Sequence, residues 1–413
     1  MAKLNQVKVY VSVGLVIILF GSETFNTEIL PPIFPLYAEA RGISITAIGI
    51  TLGLNYISAL ICAFFLPSLL RPSNLKTFYI FGLYLGSIML LSFGLLDLVE
   101  NKYILITFGY FNRGLNGLSM AIVYACGVPV VINLYSKRSG MLVSLLQSFS
   151  GAAAILAPAV ACILYRLSGY MCPFLSLGTI QFVLTTILVL IIPKTTETEQ
   201  AEKENKSSWK EDLRKFVGLR FFCYIFPYYL CVVTTAFRIT ALAIFLKERF
   251  DINESNNFYV FFALSIPYTI SAPIFGYLLD RGFLTTLFLS SIVAHPLILL
   301  CYILMDFLPQ CNNLTYLIVI LVISGTHCSS TALSSLFQLR NYAEKCDFNN
   351  KLNELPVANQ CFSIVRLLGK LSGSIIFGGL CMDYFGFIPS LYILFFLTLL
   401  TVPPILYLTI YDQ

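Results

Sequence analysis

Charge is scarce in this 413-residue chain: 11% of its residues are Asp, Glu, Lys or Arg, where a soluble domain carries about 25%. A water-facing globule of this size needs more polar surface than that. The shortage excludes a soluble enzyme, a nucleic-acid-binding domain and a secreted disulfide scaffold. A net charge of +5 points to no nucleic-acid partner, because the basic residues sit mainly in short loops. The twelve cysteines form no CxxC pair and no His/Cys metal spacing. Most of them, among them Cys62, Cys126, Cys162, Cys231 and Cys361, fall inside apolar runs and read as small packing residues. The chain also lacks a Gly-Lys-Ser/Thr phosphate loop and any legible His/Asp/Ser set. The expectation is therefore no enzyme, no ATP-driven pump, no metal and no cofactor.

What the chain has in abundance is hydrocarbon. Hydrophobic residues make up 58% of it, and its mean hydropathy is +0.82. Apolar runs of about twenty residues, the length that crosses a bilayer, recur from Val9 to Leu408. An outer-membrane barrel would alternate in polarity instead. The spacing predicts an all-α membrane protein with about twelve spans: 8–30, 46–70, 77–97, 103–133, 141–165, 172–192, 220–246, 257–279, 284–305, 314–338, 355–381 and 388–411. A polar, charged break over residues 193–219 divides these into an N-terminal six-helix bundle (1–192) and a C-terminal one (220–413). Residues Trp209 to Phe216 of that linker form a short amphipathic stretch.

Basic residues concentrate in alternate connectors. One side holds Lys3, Lys8, Arg71, Lys76, Lys137, Arg138, the bases from Lys194 to Arg220, Arg281, Arg340, Lys345 and Lys351. The other holds Arg41, Lys102, Arg166, Lys247 and Arg249. The positive-inside rule then places both termini in the cytoplasm, in a vesicle or plasma membrane. The sequons at Asn253 and Asn313 fall on the opposite side, where glycosylation occurs.

The halves echo each other. The fifth span runs through Gly151 and Pro158 to Gly169-Tyr170 with Pro173 beyond, and the eleventh through Gly378 and Gly379 to Gly386-Phe387 with Pro389 beyond. Small residues there allow close helix approach, and a Pro or Gly pair supplies a bend. Three further patterns stand out. The fourth span carries Arg113 with Gly117 and Ala121; the eighth ends SAPIFGYLLDRG, containing Gly276, Asp280, Arg281 and Gly282; and Glu23 precedes PIFPLYAEARG after the first span.

Together these motifs resemble the major facilitator superfamily, and within it the drug:proton antiporter branch that includes vesicular amine and polyamine transporters. The likeness covers nearly the whole chain. It implies the major facilitator fold, with a solute site between two six-helix bundles. It also implies a proton-coupling and helix-docking role for Arg113, a cytoplasmic gating loop at Gly276, Asp280, Arg281 and Gly282, and the fifth-helix antiporter motif at Gly151 and Pro158. Glu23 falls where amine-carrying relatives have an acidic first-helix residue. Two departures matter. The loop after the second span, Leu70 to Ser73, lacks the gating acid. Where amine carriers place carboxylates in helices seven, ten and eleven, this chain has Ile239, Thr326 and Ile364, with Arg238, His327, Arg366 and Lys370 beside them.

Charges at membrane depth face a cavity or a partner, so each has a functional and a structural reading. Glu23 is a proton carrier or amine ligand, or else a partner for Arg113. Arg238, Arg366 and Lys370 line an anion pocket, or Lys370 snorkels to an interface. His327 relays protons or bonds a neighbouring helix, and Tyr268, beside Pro267, lines the solute pathway. The expected activity is secondary transport of a small organic solute by alternating access, an amine or polyamine exchanged for protons. A small organic anion is the alternative solute, and a non-transporting receptor or scaffold is the alternative class. A monomer in the lipid bilayer is expected in every case.

Overall fold

The computed structural model describes residues 2–70, 73–135, 139–193, 216–252, 258–346 and 354–411. Within them the chain is almost wholly helical: α1 (Ala2–Glu28), α2 (Phe34–Ala40), α3 (Ile45–Leu69), α4 (Leu75–Gly94), α5 (Lys102–Leu134), α6 (Ser139–Ser168), α7 (Met171–Ile191), α8 (Leu219–Phe250), α9 (Phe258–Asp280), α10 (Leu284–Phe307), α11 (Leu314–Lys345), α12 (Glu354–Ser372), α13 (Met382–Phe385) and α14 (Phe387–Tyr411). Eleven described helices are long and apolar enough to cross a membrane, and a twelfth apolar stretch, Phe387–Pro403, lies within α14. This is a multi-pass membrane protein. Hydrocarbon offers backbone groups no water, so each span must close its own hydrogen bonds, as only helices and closed barrels can.

Polar side chains start several helices. Ser44 accepts from Ala47 N, Asn101 from Tyr103 and Ile104 N, and Asn313 from Tyr316 N. Prolines interrupt α5 (Pro129), α6 (Pro158), α8 (Pro227), α9 (Pro267, Pro273) and α10 (Pro296) without ending them. Gly378 and Gly379 lie in a π-helical segment over Gly373–Cys381 that joins α12 to α13. It packs against α8, and the Gly378 Cα faces the Thr240 side chain too closely for any Cβ to fit without a shift.

The chain forms two compact units, Met1–Lys203 with Asn253–Phe258, and Glu204–Ile252 with Tyr259–Gln413. In the first, α3 and α4 pack on α5, α4 also on α7, and α1 on α6. Its connectors are tied by Arg41, which donates to Val99 O at 2.8 Å and pairs with Asp97 at 3.0 Å. Tyr37 donates to the same carboxylate at 2.9 Å and stacks on Tyr170 with ring centroids 3.7 Å apart. Burial, and then the Asp97 carboxylate, push the Tyr37 hydroxyl above its ordinary pKa, so it remains a donor. In the second unit α8 packs on α11, α12 and the π-helical segment, and α10 on α11 and α14. Arg249 clamps its helix ends by pairing with Asp306 at 2.6 Å and donating to Asn312 and Met305 O.

Gly169 and Gly386, the two echoing glycines, both stop their helices at positive φ (75° and 86°), each bonding the carbonyl four residues back. The linker over 194–215, Asn253 and the loop at Arg71-Pro72 lie outside the described residues.

The turn closing α9 is a Schellman motif: Phe283 N bonds Leu278 O, Gly282 N bonds Leu279 O, and Gly282 takes φ 87°. Gly282→Ala should therefore cost about 1–2 kcal/mol, because a Cβ disfavours left-handed backbone. Gly276 is helical with open space around its Cα, so Gly276→Ala should leave stability unchanged or slightly raised. Thermal melts in one detergent check the contrast, and equal melting temperatures for the two variants would refute it.

Candidate functional site

Two polar clusters lie inside the apolar helices, one in each unit. In the first unit Glu23 is 1% exposed. Its Oε1 accepts from Gln181 Nε2 at 3.0 Å and from Ser119 Oγ at 3.2 Å. Asn26 holds Gln181 in place, donating to its Oε1 at 2.7 Å, and Gln181 also reaches Leu83 O at 3.3 Å. The other carboxyl oxygen, Oε2, is buried with no described partner. Helix α4 comes this near only because residue 86 is glycine: a Cβ there would collide with Glu23 Oε1 and sit 2.6 Å from Ser119 Oγ.

Arg113 is buried too, 3% exposed, with Nη1 donating to Asn116 Oδ1 at 3.0 Å and Nε without a described partner. Of the two readings of Glu23, the partnership with Arg113 is not among the described ion pairs, and the described hydrogen bonds to the carboxyl come from neutral donors. Further polar groups line the same interior. Asn112 donates to Met89 O and Ser92 Oγ, both at 2.7 Å, and Thr24 bonds both Tyr124 and Ser150. Glu28, one turn beyond Glu23, is half-buried.

In the second unit Arg238, 3% exposed, donates from Nη1 to Tyr302 Oη at 3.2 Å and from Nη2 to Thr235 Oγ1 at 3.3 Å. Its Nη2 also lies 3.8 Å from Cys328 Sγ. His327 bonds Ser291 O at 2.9 Å, and His295 bonds Thr234 Oγ1 at 3.1 Å. The two imidazole rings lie 5.1 Å apart. His295, which Pro296 alone would mark as a bend residue, is therefore part of a polar cluster. The cations expected to share a pocket differ in setting: Arg238 is buried, Arg366 is exposed on α12, and Lys370 is half-buried. Tyr268 is 42% exposed rather than enclosed.

The remaining residues fall as follows. Asp280, Arg281 and Gly282 are exposed at the α9–α10 turn, Arg281 lying 4.6 Å over the Tyr277 ring. Gly276 is half-buried on α9. Pro158 is buried within α6, and Gly151 is half-buried with open space around its Cα. Asn313 is exposed as the cap of α11 and donates to Gln310 O at 2.7 Å.

Sequence reading missed Gln181, Ser119, Asn26 and Asn116. An amide in the middle of the sixth apolar run was the available signal for Gln181, since buried amides need partners. Cysteine spacing likewise concealed Cys231, Cys328 and His327, which meet in space although residue 231 is nearly a hundred positions from the others.

Comparison with known proteins bears on the whole chain. The Major Facilitator Superfamily profile matches residues 16–341. The human protein named MFS-type transporter SLC18B1 is 26% identical over 388 residues, covering 93% of this chain and 82% of its own. Its Mus musculus counterpart is 25% identical over 358 residues, covering 86% and 76%. Among solved structures, a bacterial homolog of the human lysosomal transporter Spinster, inward-facing and unoccupied, aligns with TM-score 0.74 at 12% identity over 97% of both chains. The nucleoside transporter NupG aligns with TM-score 0.70 at 12% identity over 98% of both. At such identities the structural matches speak for fold alone.

Gln181→Leu removes a donor from Glu23 and an acceptor from Asn26, and should cost about 1–3 kcal/mol. Combined with Glu23→Gln, it should show a coupling of at least about 0.5 kcal/mol in a double-mutant cycle of thermal melts. Strict additivity would show that the two side chains do not act together.

Proposed function

We propose, from the premise that this chain belongs to the Major Facilitator Superfamily, that it is a secondary transporter moving a small organic amine in exchange for protons by alternating access, with Glu23 carrying the proton. The observation behind this reading is the setting of Glu23. Its carboxyl is buried among membrane helices, and one oxygen is held by neutral donors only, Gln181 and Ser119. The other oxygen has no described partner. An ionised carboxylate in such a place needs a counter-charge or water. Its proton therefore leaves when water or a cationic amine arrives and returns when they depart, which is the coupling an antiporter needs.

The surrounding polar groups suit that exchange. Gln181 can donate to the charged carboxylate and also tolerate the protonated form, because its amide keeps the bond to Leu83 O. Arg113 lies in the same unit with an Nε that has no described partner, so a guanidinium is at hand for a carboxylate that loses its proton. The resemblance to vesicular amine and polyamine transporters supports a cationic solute. Nothing in the names of the relatives goes further than a transporter.

The anion reading has less support. Arg238 is already engaged with Tyr302, Thr235 and the Thr234 carbonyl, and Arg366 is exposed. A receptor or scaffold role rests on two sequence features, the missing gating acid and the alanines Ala153, Ala157 and Ala161 where the fifth-helix motif carries glycines. We also place both termini in the cytoplasm, on the strength of the Lys/Arg asymmetry, and read the working form as a monomer.

In proteoliposomes the wild-type chain should accumulate labelled spermidine or a monoamine from a screened panel when the lumen is acidic. Glu23→Gln should lower that gradient-driven uptake by about tenfold or more, a catalytic-scale loss for a single proton-transfer group, while amine–amine exchange without a gradient persists. Unchanged pH-driven uptake in the variant would refute the proton role. Competition by organic anions but not by amines would refute the solute class.

A further inference from the structure

Helices α8 and α11 bring two thiols and an imidazole to one buried point. Cys231 Sγ lies 3.5 Å from Cys328 Sγ and 4.0 Å from His327 Nδ1. All three potential ligand atoms fall within 4.8 Å of one another. Metal–ligand bonds of about 2.0–2.3 Å separate ligand atoms around a three-coordinate ion by roughly 3.5–4 Å. The residues are 3%, 7% and 8% exposed, so neither thiol is a surface residue that happens to lie near a partner.

The histidine is set in the tautomer a ligand needs. Its Nε2 faces the Ser291 carbonyl oxygen at 2.9 Å, an atom that can only accept, so Nε2 carries the proton. Thr331 agrees: its hydroxyl hydrogen goes to His327 O at 2.9 Å, leaving its oxygen to accept from Nε2 at 3.1 Å. The Nδ1 lone pair therefore remains on the side of Cys231. A ligating histidine whose other nitrogen donates to a backbone carbonyl is the usual outer-sphere arrangement of a metal site.

Charge then selects the ion. Arg238 Nη2 is 3.8 Å from Cys328 Sγ, and no described ion pair gives this buried guanidinium a carboxylate. His295 bonds Thr234 Oγ1, and the other titratable side chains close to the thiols, Tyr228 and Tyr268, are neutral phenols that add no charge. Two thiolates and one guanidinium sum to one negative charge. A monovalent ion brings the cluster to neutrality, whereas a divalent ion leaves the Arg238 charge as uncompensated as it is beside two neutral thiols, so the monovalent ion gains more from the site. Thiolate ligands favour soft ions.

We propose that Cys231, Cys328 and His327 bind one monovalent soft cation, Cu(I) being the biological member of that class. Binding replaces the two thiol protons, which leave to solvent. No electron is transferred, and the ion joins α8 to α11. This site is independent of Glu23 and of the amine reading.

The full chain in detergent, reduced and kept anaerobic, is titrated with Cu(I) against a Cu(I)-chelating dye. One Cu(I) per chain should resist the dye, and Cys231→Ser and Cys328→Ser should each weaken its retention by about tenfold or more. Equimolar Zn(II) should not displace it. X-ray absorption of the wild-type chain at one equivalent of copper should show two sulfurs and one nitrogen, a measurement that stands even if a serine variant fails to fold. A shell of sulfur alone or of nitrogen and oxygen would overturn the site, as would retention unaffected by either serine substitution. Tighter binding of Zn(II) than of Cu(I) would overturn the choice of ion.

Discussion

Hydrocarbon supplies no hydrogen bonds, and the rest of this structure follows from that. Every polar group placed among the membrane helices must find its partner inside the protein. The backbone meets the demand by being helical almost throughout, and the described helices continue past their internal prolines. Many side chains meet it in two confined clusters, although Glu23 Oε2 and Arg113 Nε keep no described partner there, while the outer surfaces carry exposed Leu, Ile, Val and Phe that suit lipid.

The two clusters solve the same problem with opposite chemistry. In the first unit an acid, Glu23, is surrounded by hydroxyl and amide donors from α5 and α7, and Gly86 clears the space for it on α4. In the second a base, Arg238, is surrounded by acceptors: a tyrosine hydroxyl, a threonine hydroxyl and a cysteine sulfur. Neither has a described ion-pair partner. A buried ion pair would fix both charges in one arrangement, since removing either partner is strongly destabilising. Neutral partners leave a buried charge open to exchange with water, a proton or a ligand, and this is why the functional readings gather at these residues rather than at the loop clamps. Arg41–Asp97 and Arg249–Asp306 pair at helix ends instead, where partial exposure makes such bonds modest in strength.

Legibility in the sequence was uneven for a related reason. Helix positions could be read because hydropathy averages over a segment, and the Gly-Asp-Arg-Gly pattern at residues 276–282 announced a turn that the structure closes at Gly282. Glu23, Arg113 and Arg238 could be read as unusual because a charge inside an apolar run stands out. Their partners could not. Gln181, Ser119 and Asn26 are neutral residues of ordinary frequency, and the cysteines looked like packing residues because their spacing along the chain carries no metal pattern. The setting of each cation was illegible for the complementary reason: Arg238 and Arg366 look alike in sequence, yet one is buried and the other exposed.

The sequence by itself determined that this chain crosses a membrane many times, where its helices run, and which few charges lie at depth. Those are properties of composition along a segment, governed by transfer from water to hydrocarbon. Only the tertiary structure decided that Glu23 meets Gln181 and Ser119 instead of Arg113, and that Cys231 meets Cys328 and His327. Such pairings depend on how each helix is rotated about its axis and how closely its neighbour approaches. Rotation and approach are set by small residues packing across helices, a non-local property that periodicity within one helix does not carry.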